Sequence, residues 1–255
     1  MTYLAACLIV IAATLAAAAA SWLICAHVSV ETRRNHHEVG HPVFLQIGVM
    51  FSVLLAFVFS EAWGEYNTAA QAIYGECGAL HGAAMLAAAL PAGEGLPVER
   101  AIGAYVQTVV GVEWASLAHG RRSEKASDDL RAALSAAANL DAATPGRAAT
   151  QAQILEQLAL AHAQRETRLF QASQGLPGAV WLVLSIITLV LIGFVLFAGL
   201  EISGHLILSV AFTASTVGVL VLVKLLDYPF SGSLALSPED FVKTLREVSA
   251  LVAGG

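Results

Sequence analysis

The feature that most constrains this chain is an uncharged stretch that runs on into a charged one without a break. From Pro42 to Ser60, nineteen residues pass without a charge. At ~1.5 Å of rise per residue this is roughly 28 Å of helix, about one bilayer core. No proline follows before Pro91, and the run continues as FSEAWGEYNTAAQAIYGE, which carries Glu61, Glu65 and Glu76. The expectation is one helix that crosses a membrane and continues beyond it as a water-exposed rod.

Three further spans are expected. Tyr3–Val28 is an uncharged, alanine-rich run of 26 residues. Ala18-Ala19-Ala20-Ser21 has the look of a leader cleavage site. No Lys or Arg precedes the run, however, and it stays apolar through Trp22 to Ala26, so a retained first span is favoured. Gly178–Leu200 and Leu206–Val223 supply the third and fourth spans, joined by a tight turn, with Trp181 at interface depth. The composition agrees: 57% of the 255 residues are hydrophobic and 13% charged, against about 25% charged in soluble domains. The net charge of -6, with few basic clusters, excludes nucleic acid as a partner. Cys7, Cys25 and Cys77 form no CxxC pair, so neither a disulfide framework nor a cysteine zinc site is implied.

Between the second and third spans lies a helical region. Its first helix ends near Leu90. A second runs from about Val98 to His119, with Glu113-Trp114 near its end. A third runs from Ser127 to Leu140. A fourth is opened by Thr144-Pro145, a cap residue followed by a proline suited to the first helical position. Ile154, Leu158 and Ala161 give this last helix an apolar face that runs on to Arg165 and Arg168. No strand-like alternation occurs, and the class is all-α, a polytopic membrane protein with a soluble helical domain. The expected divisions are 1–63 (first helix pair), 64–177 (helical domain), 178–226 (second pair) and 227–255 (turn and amphipathic helix, opened by Ser237-Pro238). This final helix is expected either at the membrane surface or docked on the bundle.

Several positions are candidates for function. On the second span Gln46, Met50, Val53, Phe57 and Ser60 share one face, and Phe51, Leu55 and Phe59 share another. Either could line a pore, or one could meet lipid and the other neighbouring helices. Glu61 and Glu65 would stand at the inner mouth of a pore lined by the first face, where acidic groups concentrate cations. At least one contact is expected between Glu61, Glu65 or Glu76 and Arg165 or Arg168. Ser209, Thr213 and Thr216 recur on the fourth span below His205 and read as interhelical glue rather than pore lining; Ser185 and Thr188 form a weaker stripe on the third. Lys224 is placed to reach Asp227. In Val30–His41, His37 and His41 stand four apart, but Gly40 and Pro42 argue against a helix there and other ligands are lacking, so the stretch reads as a polar turn and no metal is expected. No nucleophile, phosphate-binding or metal signature accompanies the scattered His and Glu, so neither an enzyme nor a cofactor is indicated.

With four spans, both termini and the helical domain share a side. Arg165, Arg168, Lys224, Lys243 and Arg246 lie near span ends on that side, against Arg33 and Arg34 on the other. The basic excess places domain and termini in the cytoplasm, in a cell inner membrane.

The segments IGVMFSVLLAFVFSEAWGEYNTAAQAIYGE, YVQTVVGVEW, RETRLFQASQGLPGAVW and LLDYPFSGSLALSPEDF together resemble the bestrophin-like domain family of prokaryotic membrane proteins. The resemblance runs in order from about Val43 to Phe241. It implies four membrane helices with a helical domain between the second and third, and kinship with bestrophin anion channels, which form pentamers around a second-helix pore. Trp63, Tyr66, Asn67, Trp114, Arg165, Arg168, Asp227, Pro229, Phe230 and Gly232, together with Glu61 and Glu65, fall on its motif positions without an assigned role. The sequence departs from the acid-rich calcium clasp of bestrophins: only Asp227, Glu239 and Asp240 follow the last span, split by Pro and Ser. The implied function is an oligomeric channel or transport protein. The alternative is a non-conducting scaffold or sensor whose helical domain binds a protein, because no charged residue lies deep in a span.

Overall fold

The computed structural model describes residues 1–91, 93–198 and 200–254, and for 35–39 the backbone alone. It is all-α: among the described residues there is no strand, and four helices are long and apolar enough to cross a membrane. In order these elements are α1 (Tyr3–His27), α2 (Val30–Ala88), α3 (Leu96–Thr108), a π-helical turn (Val109–Glu113), α4 (Trp114–Leu117), α5 (Glu124–Ala138), α6 (Pro145–Ser173), α7 (Gly178–Leu196), α8 (Ile202–Leu226) and α9 (Glu239–Gly254). The spans lie in α1, α2, α7 and α8.

The chain divides into two compact units, one of Met1–Gly64 with Gly175–Asp227 and one of Glu65–Gln174 with Tyr228–Gly255. The first holds the membrane helices, and its surface is apolar. Leu4, Ile207, Leu189 and Phe57 are each about two-thirds or more exposed, as lipid-facing residues must be. Its interior is joined by a few polar contacts. Ser21 Oγ donates to Ser209 Oγ at 2.7 Å between α1 and α8. His205 is fully buried, with Nδ1 3.0 Å from Cys25 Sγ and Nε2 3.2 Å from the Val195 carbonyl. Arg33 is buried and donates to the Ala198 carbonyl, so a cation caps the negative C-terminal end of α7. Asp227, at the end of α8, accepts from the Leu176 N–H and from Lys224 Nζ, each at 2.7 Å. Lys224 also lies 4.8 Å from the centre of the Trp181 ring. Phe44 packs against Phe194 and Phe212, with ring centres 6.1 Å apart in both pairs.

Interhelical hydroxyl bonding on α8 is realised by Ser209. Thr213 is buried but its hydroxyl has no partner, and Thr216 is half-buried. Two expectations fail in this unit. Val30–His41 is helical, not a turn: α2 begins at Val30 and passes through Pro42. One proline removes a single backbone bond, and a membrane helix whose other bonds are intact tolerates that loss. The side chain of His37, half of the weighed histidine pair, lies outside the described residues. α7 also ends at Leu196, short of the expected Leu200.

The second unit has a core of small residues set among a few large ones. Ala69, Ala83, Ala87, Ala133 and Ala161 pack with Leu80, Ile102, Tyr105, Leu158 and Phe241. Small side chains let helix axes approach. A Cβ added at Gly75 or Gly82 of α2 would stand 3.0 Å from Gln164 or 3.3 Å from Gln157 of α6. Thr144 caps α6 through the Arg147 N–H, with Pro145 following as expected. α5 starts at Glu124, not Ser127: Ser123 accepts from the Ala126 N–H and is the true cap. α9 docks on the bundle through Phe241, Thr244 and Val248. Pro229 and Gly232 form the turn before it. Gly232 has a φ of +88° that other residues rarely adopt, and the Leu236 N–H closes onto the Pro229 carbonyl at 2.8 Å.

Ser21→Ala is expected to leave the Ser209 hydroxyl without its α1 partner and to cost about 1–2 kcal/mol, while adding Ser209→Ala recovers part of the loss. A double-mutant cycle on thermal unfolding in detergent measures both.

Candidate functional site

Two constellations stand out, one on the surface of α2 and one inside the second unit. On α2, Gln46, Met50, Val53, Phe57, Ser60 and Glu61 are all exposed. The rival face does not share this exposure: Phe51 is buried, and Leu55 and Phe59 are half-buried. Glu65 is half-buried. The exposed face is polar at both ends and apolar between, and a Cβ added at Gly64, at the end of that face, would meet nothing within 4 Å. Phe59 stacks on Trp63 at 6.5 Å.

Inside the second unit, Glu76 of α2, Glu113 of the π-helical turn, and Arg165 and Arg168 of α6 form a buried network of two anions and two cations. Arg168 grips Glu76 with both prongs of its guanidinium, Nε to Oε2 at 2.8 Å and Nη2 to Oε1 at 3.1 Å. Its Nη2 also reaches Glu113 Oε1 at 2.9 Å, while Nη1 is left unpartnered. Arg165 holds the other side of Glu113, Nη2 to Oε2 at 2.6 Å and Nε to Oε1 at 3.2 Å. The same Nη2 donates to the Ser123 carbonyl and to Ser127 Oγ. The Ser123 N–H completes the set on Glu113 Oε2. The Tyr105 hydroxyl donates to Glu76. Arg168 lies 5.8 Å from the Trp114 ring centre and 5.2 Å from that of Phe241, and Trp114 meets Phe230 and Phe241 edge-on, both at 5.7 Å. The motif residues Trp114, Arg165, Arg168 and Phe230 therefore meet around one point.

Position follows from local structure. α6 places Arg165 and Arg168 one turn apart on the face that carries Ile154, Leu158 and Ala161 inward. The π-helical turn inserts a residue into the α3–α4 register, with the Trp114 N–H reaching the Val109 carbonyl. Such single-turn π segments re-aim side chains and recur at functional positions; here the re-aimed residue is Glu113. Burial opposes charging Glu113, but the hydrogen bonds and charges of Arg165 and Arg168 outweigh it and hold the carboxyl below its ordinary value. Burial likewise opposes the charge on Arg165 and Arg168, and their carboxylate partners raise both above the ordinary value. Tyr105 is pushed up by burial and by the adjacent Glu76 charge, so it stays a hydrogen-bond donor. With nearly every donor and acceptor occupied, this network is a clamp between helices rather than a reactive centre.

Of the expected carboxylates, Glu76 reaches the arginines. Glu61 and Glu65 are not among the partners of Arg165 or Arg168. Glu113, Tyr105 and Phe241 were not anticipated as part of the network; the available signal was a lone carboxylate inside the apolar run VVGVEW. Among the described residues no group of three or more His, Cys, Asp and Glu could hold a metal ion.

Four membrane-crossing helices joined to a helical unit define a polytopic all-α membrane protein. A profile of the Bestrophin-like domain matches residues 11–241. The chain belongs to the Bestrophin-like family. Its fold is similar to that of a crystallised variant of a bacterial Bestrophin homolog from Klebsiella pneumoniae, with TM-score 0.76, 16% identity, and coverage of 96% of this chain and 99% of the other. A variant of a protein described as a membrane protein aligns with TM-score 0.77 and 15% identity over 95% of this chain and 98% of the other. No curated protein sequence matches the chain.

Glu113→Gln, which leaves two buried guanidiniums short of an anion, is expected to cost about 3–5 kcal/mol. Because the folded carboxyl titrates below its unfolded value of 4.5, the stability it contributes is present above that pH and is lost as pH falls through the folded value. Thermal melts across acid pH check this: wild type should lose stability there, and the variant should show a shallower acid limb.

Proposed function

We propose that this protein is an ion-conducting homo-oligomer whose α2 helices line a shared axis, through Gln46, Met50, Val53, Phe57 and Ser60, with Glu61 and Glu65 at the mouth. The observation that carries this reading is the exposed face of α2. Polar groups on a lipid-facing surface are costly, so Gln46, Ser60 and Glu61 on one exposed face suit water or another copy of the chain. The apolar middle, with Phe57 71% exposed, suits a hydrophobic constriction. A glycine with open space beside it suits close approach of a second helix. The name of the Klebsiella homolog supports the same direction. An acidic mouth favours cations over anions. The helical domain and both termini face the cytoplasm of an inner membrane, since the positive-inside rule acts on the inserting chain and counts Arg165 and Arg168 before they are buried. No step of this reading requires enzymatic chemistry.

Purified protein in planar bilayers should conduct. Glu61→Gln with Glu65→Gln should lower the cation-over-anion permeability ratio by about two- to threefold. Silence from a well-folded oligomer would favour a scaffold instead, and an unchanged ratio would remove the acidic mouth. A reporter fused after the last residue should work only in the cytoplasm; activity in the periplasm would reverse the orientation.

A further inference from the structure

A pocket in the helical unit belongs neither to the buried network nor to the face of α2. It measures about 260 Å³ and is bounded by the C-terminal residues of α2, the first turn of α3 and the last turn of α9. Glu99 lines it from the first turn of α3. The residue is only 4% exposed, and its Oε2 has no hydrogen-bond partner. A buried carboxylate oxygen without a donor is costly in general, and proteins seldom keep one without a use.

The surroundings are organised for positive charge. Ala87 and Ala88 end α2, and Leu251 and Gly254 stand in the last turn of α9. The negative ends of two helix dipoles, each worth about half an elementary charge, therefore border the same space as Glu99. The α3 N-terminus offsets part of this, but its cap residue Gly95 has no side chain to bond. That glycine is required by packing, since a Cβ there would stand 1.9 Å from the Ala87 carbonyl oxygen. The loop is thus pressed onto the end of α2, which fixes one wall. Among the described residues no group of three or more His, Cys, Asp and Glu could hold a metal ion here. The remaining walls are alkyl, from Leu90, Leu96 and Leu251. At about 30 Å³ per water-sized body, the space holds a molecule of roughly eight heavy atoms.

We propose that this pocket binds a small organic ammonium, its charge against Glu99 and its alkyl body against Leu90, Leu96 and Leu251. Burial raises the Glu99 carboxyl above its ordinary value. The site stands whether or not the chain conducts, and its test needs no current.

The full-length protein in detergent is titrated with n-butylammonium chloride, with n-butanol and with potassium chloride at matched ionic strength, reading Tm and the heat of binding. The amine should raise Tm and give a saturable heat of binding, while the neutral alcohol and the salt do neither. E99Q should fold with a Tm at or above wild type, having lost a buried unpaired acid, and bind the amine about tenfold or more weakly. Ala250 of α9 also lines the pocket, and A250W, which fills part of the space while keeping Glu99, should weaken binding as well. The proposal is overturned if the amine leaves the wild-type Tm unmoved, if E99Q binds equally well, or if potassium chloride reproduces the whole effect.

Discussion

A guanidinium sealed from water must be matched by carboxylates within hydrogen-bond reach, and meeting that demand at Arg168 orders much of the second unit. Its two-pronged grip on Glu76 sets the rotation of α2 about its own axis. Along α2, Phe51, Val58, Ala62, Ala69, Ile73, Glu76, Leu80, Ala83 and Ala87 are buried at steps of three, four or seven. Those steps trace one stripe on a helix of about 3.6 residues per turn. At ~100° per residue, Gln46, Met50, Val53, Phe57, Ser60 and Glu61 fall roughly 80–180° from the buried Phe51 on the same span.

The two units are stabilised by different forces. In the helical unit, apolar burial around Leu80, Ile102, Leu158 and Phe241 is supplemented by the charge network, which adds geometric specificity between α2, the π-helical turn and α6. A buried ion network is weak as a source of net stability but costly to break, because each partner removed strands another. The membrane unit gains no hydrophobic drive between its helices, since lipid tails are equally apolar. It relies on Ser21–Ser209, Cys25–His205 and the two side chains tied to carbonyls at the end of α7. These contacts are few and specific, which is how spans in lipid choose their neighbours.

Much of this architecture was legible from residue order. The four spans follow from uncharged length, α6 from Thr144-Pro145, and the Glu76–Arg168 pairing from carboxylates and arginines on helices that both adjoin the membrane. What was not legible depends on tertiary context. Glu113 faces inward only because the backbone takes an i→i+5 turn at Val109–Glu113, and a pattern of 3.6 residues does not announce such an insertion. Pro42 reads as a breaker, yet α2 passes through it. Ser123 and Ser127 are equally good caps in isolation; Ser123 prevails, and it also serves Glu113 and Arg165 through its backbone. Glu99 sits in a stretch with nothing to mark it, and it is tertiary packing that buries it. The difference in burial between the two faces of the second span was not legible either, because both have helical spacing, yet Phe51 is buried and Gln46, Met50, Val53, Phe57 and Ser60 are exposed.

The central claim is that the outward face of α2 meets water inside an assembly. With Cys7, Cys25 and Cys77 replaced, single cysteines at Gln46, Met50, Val53, Phe57 and Ser60, and at Phe51 and Val58 as buried references, can be exposed in native membranes to a charged, membrane-impermeant thiol reagent. The account predicts modification along the first set with a period of three to four residues and none at the references. Uniform inertness of the first set, as lipid contact would give, contradicts it.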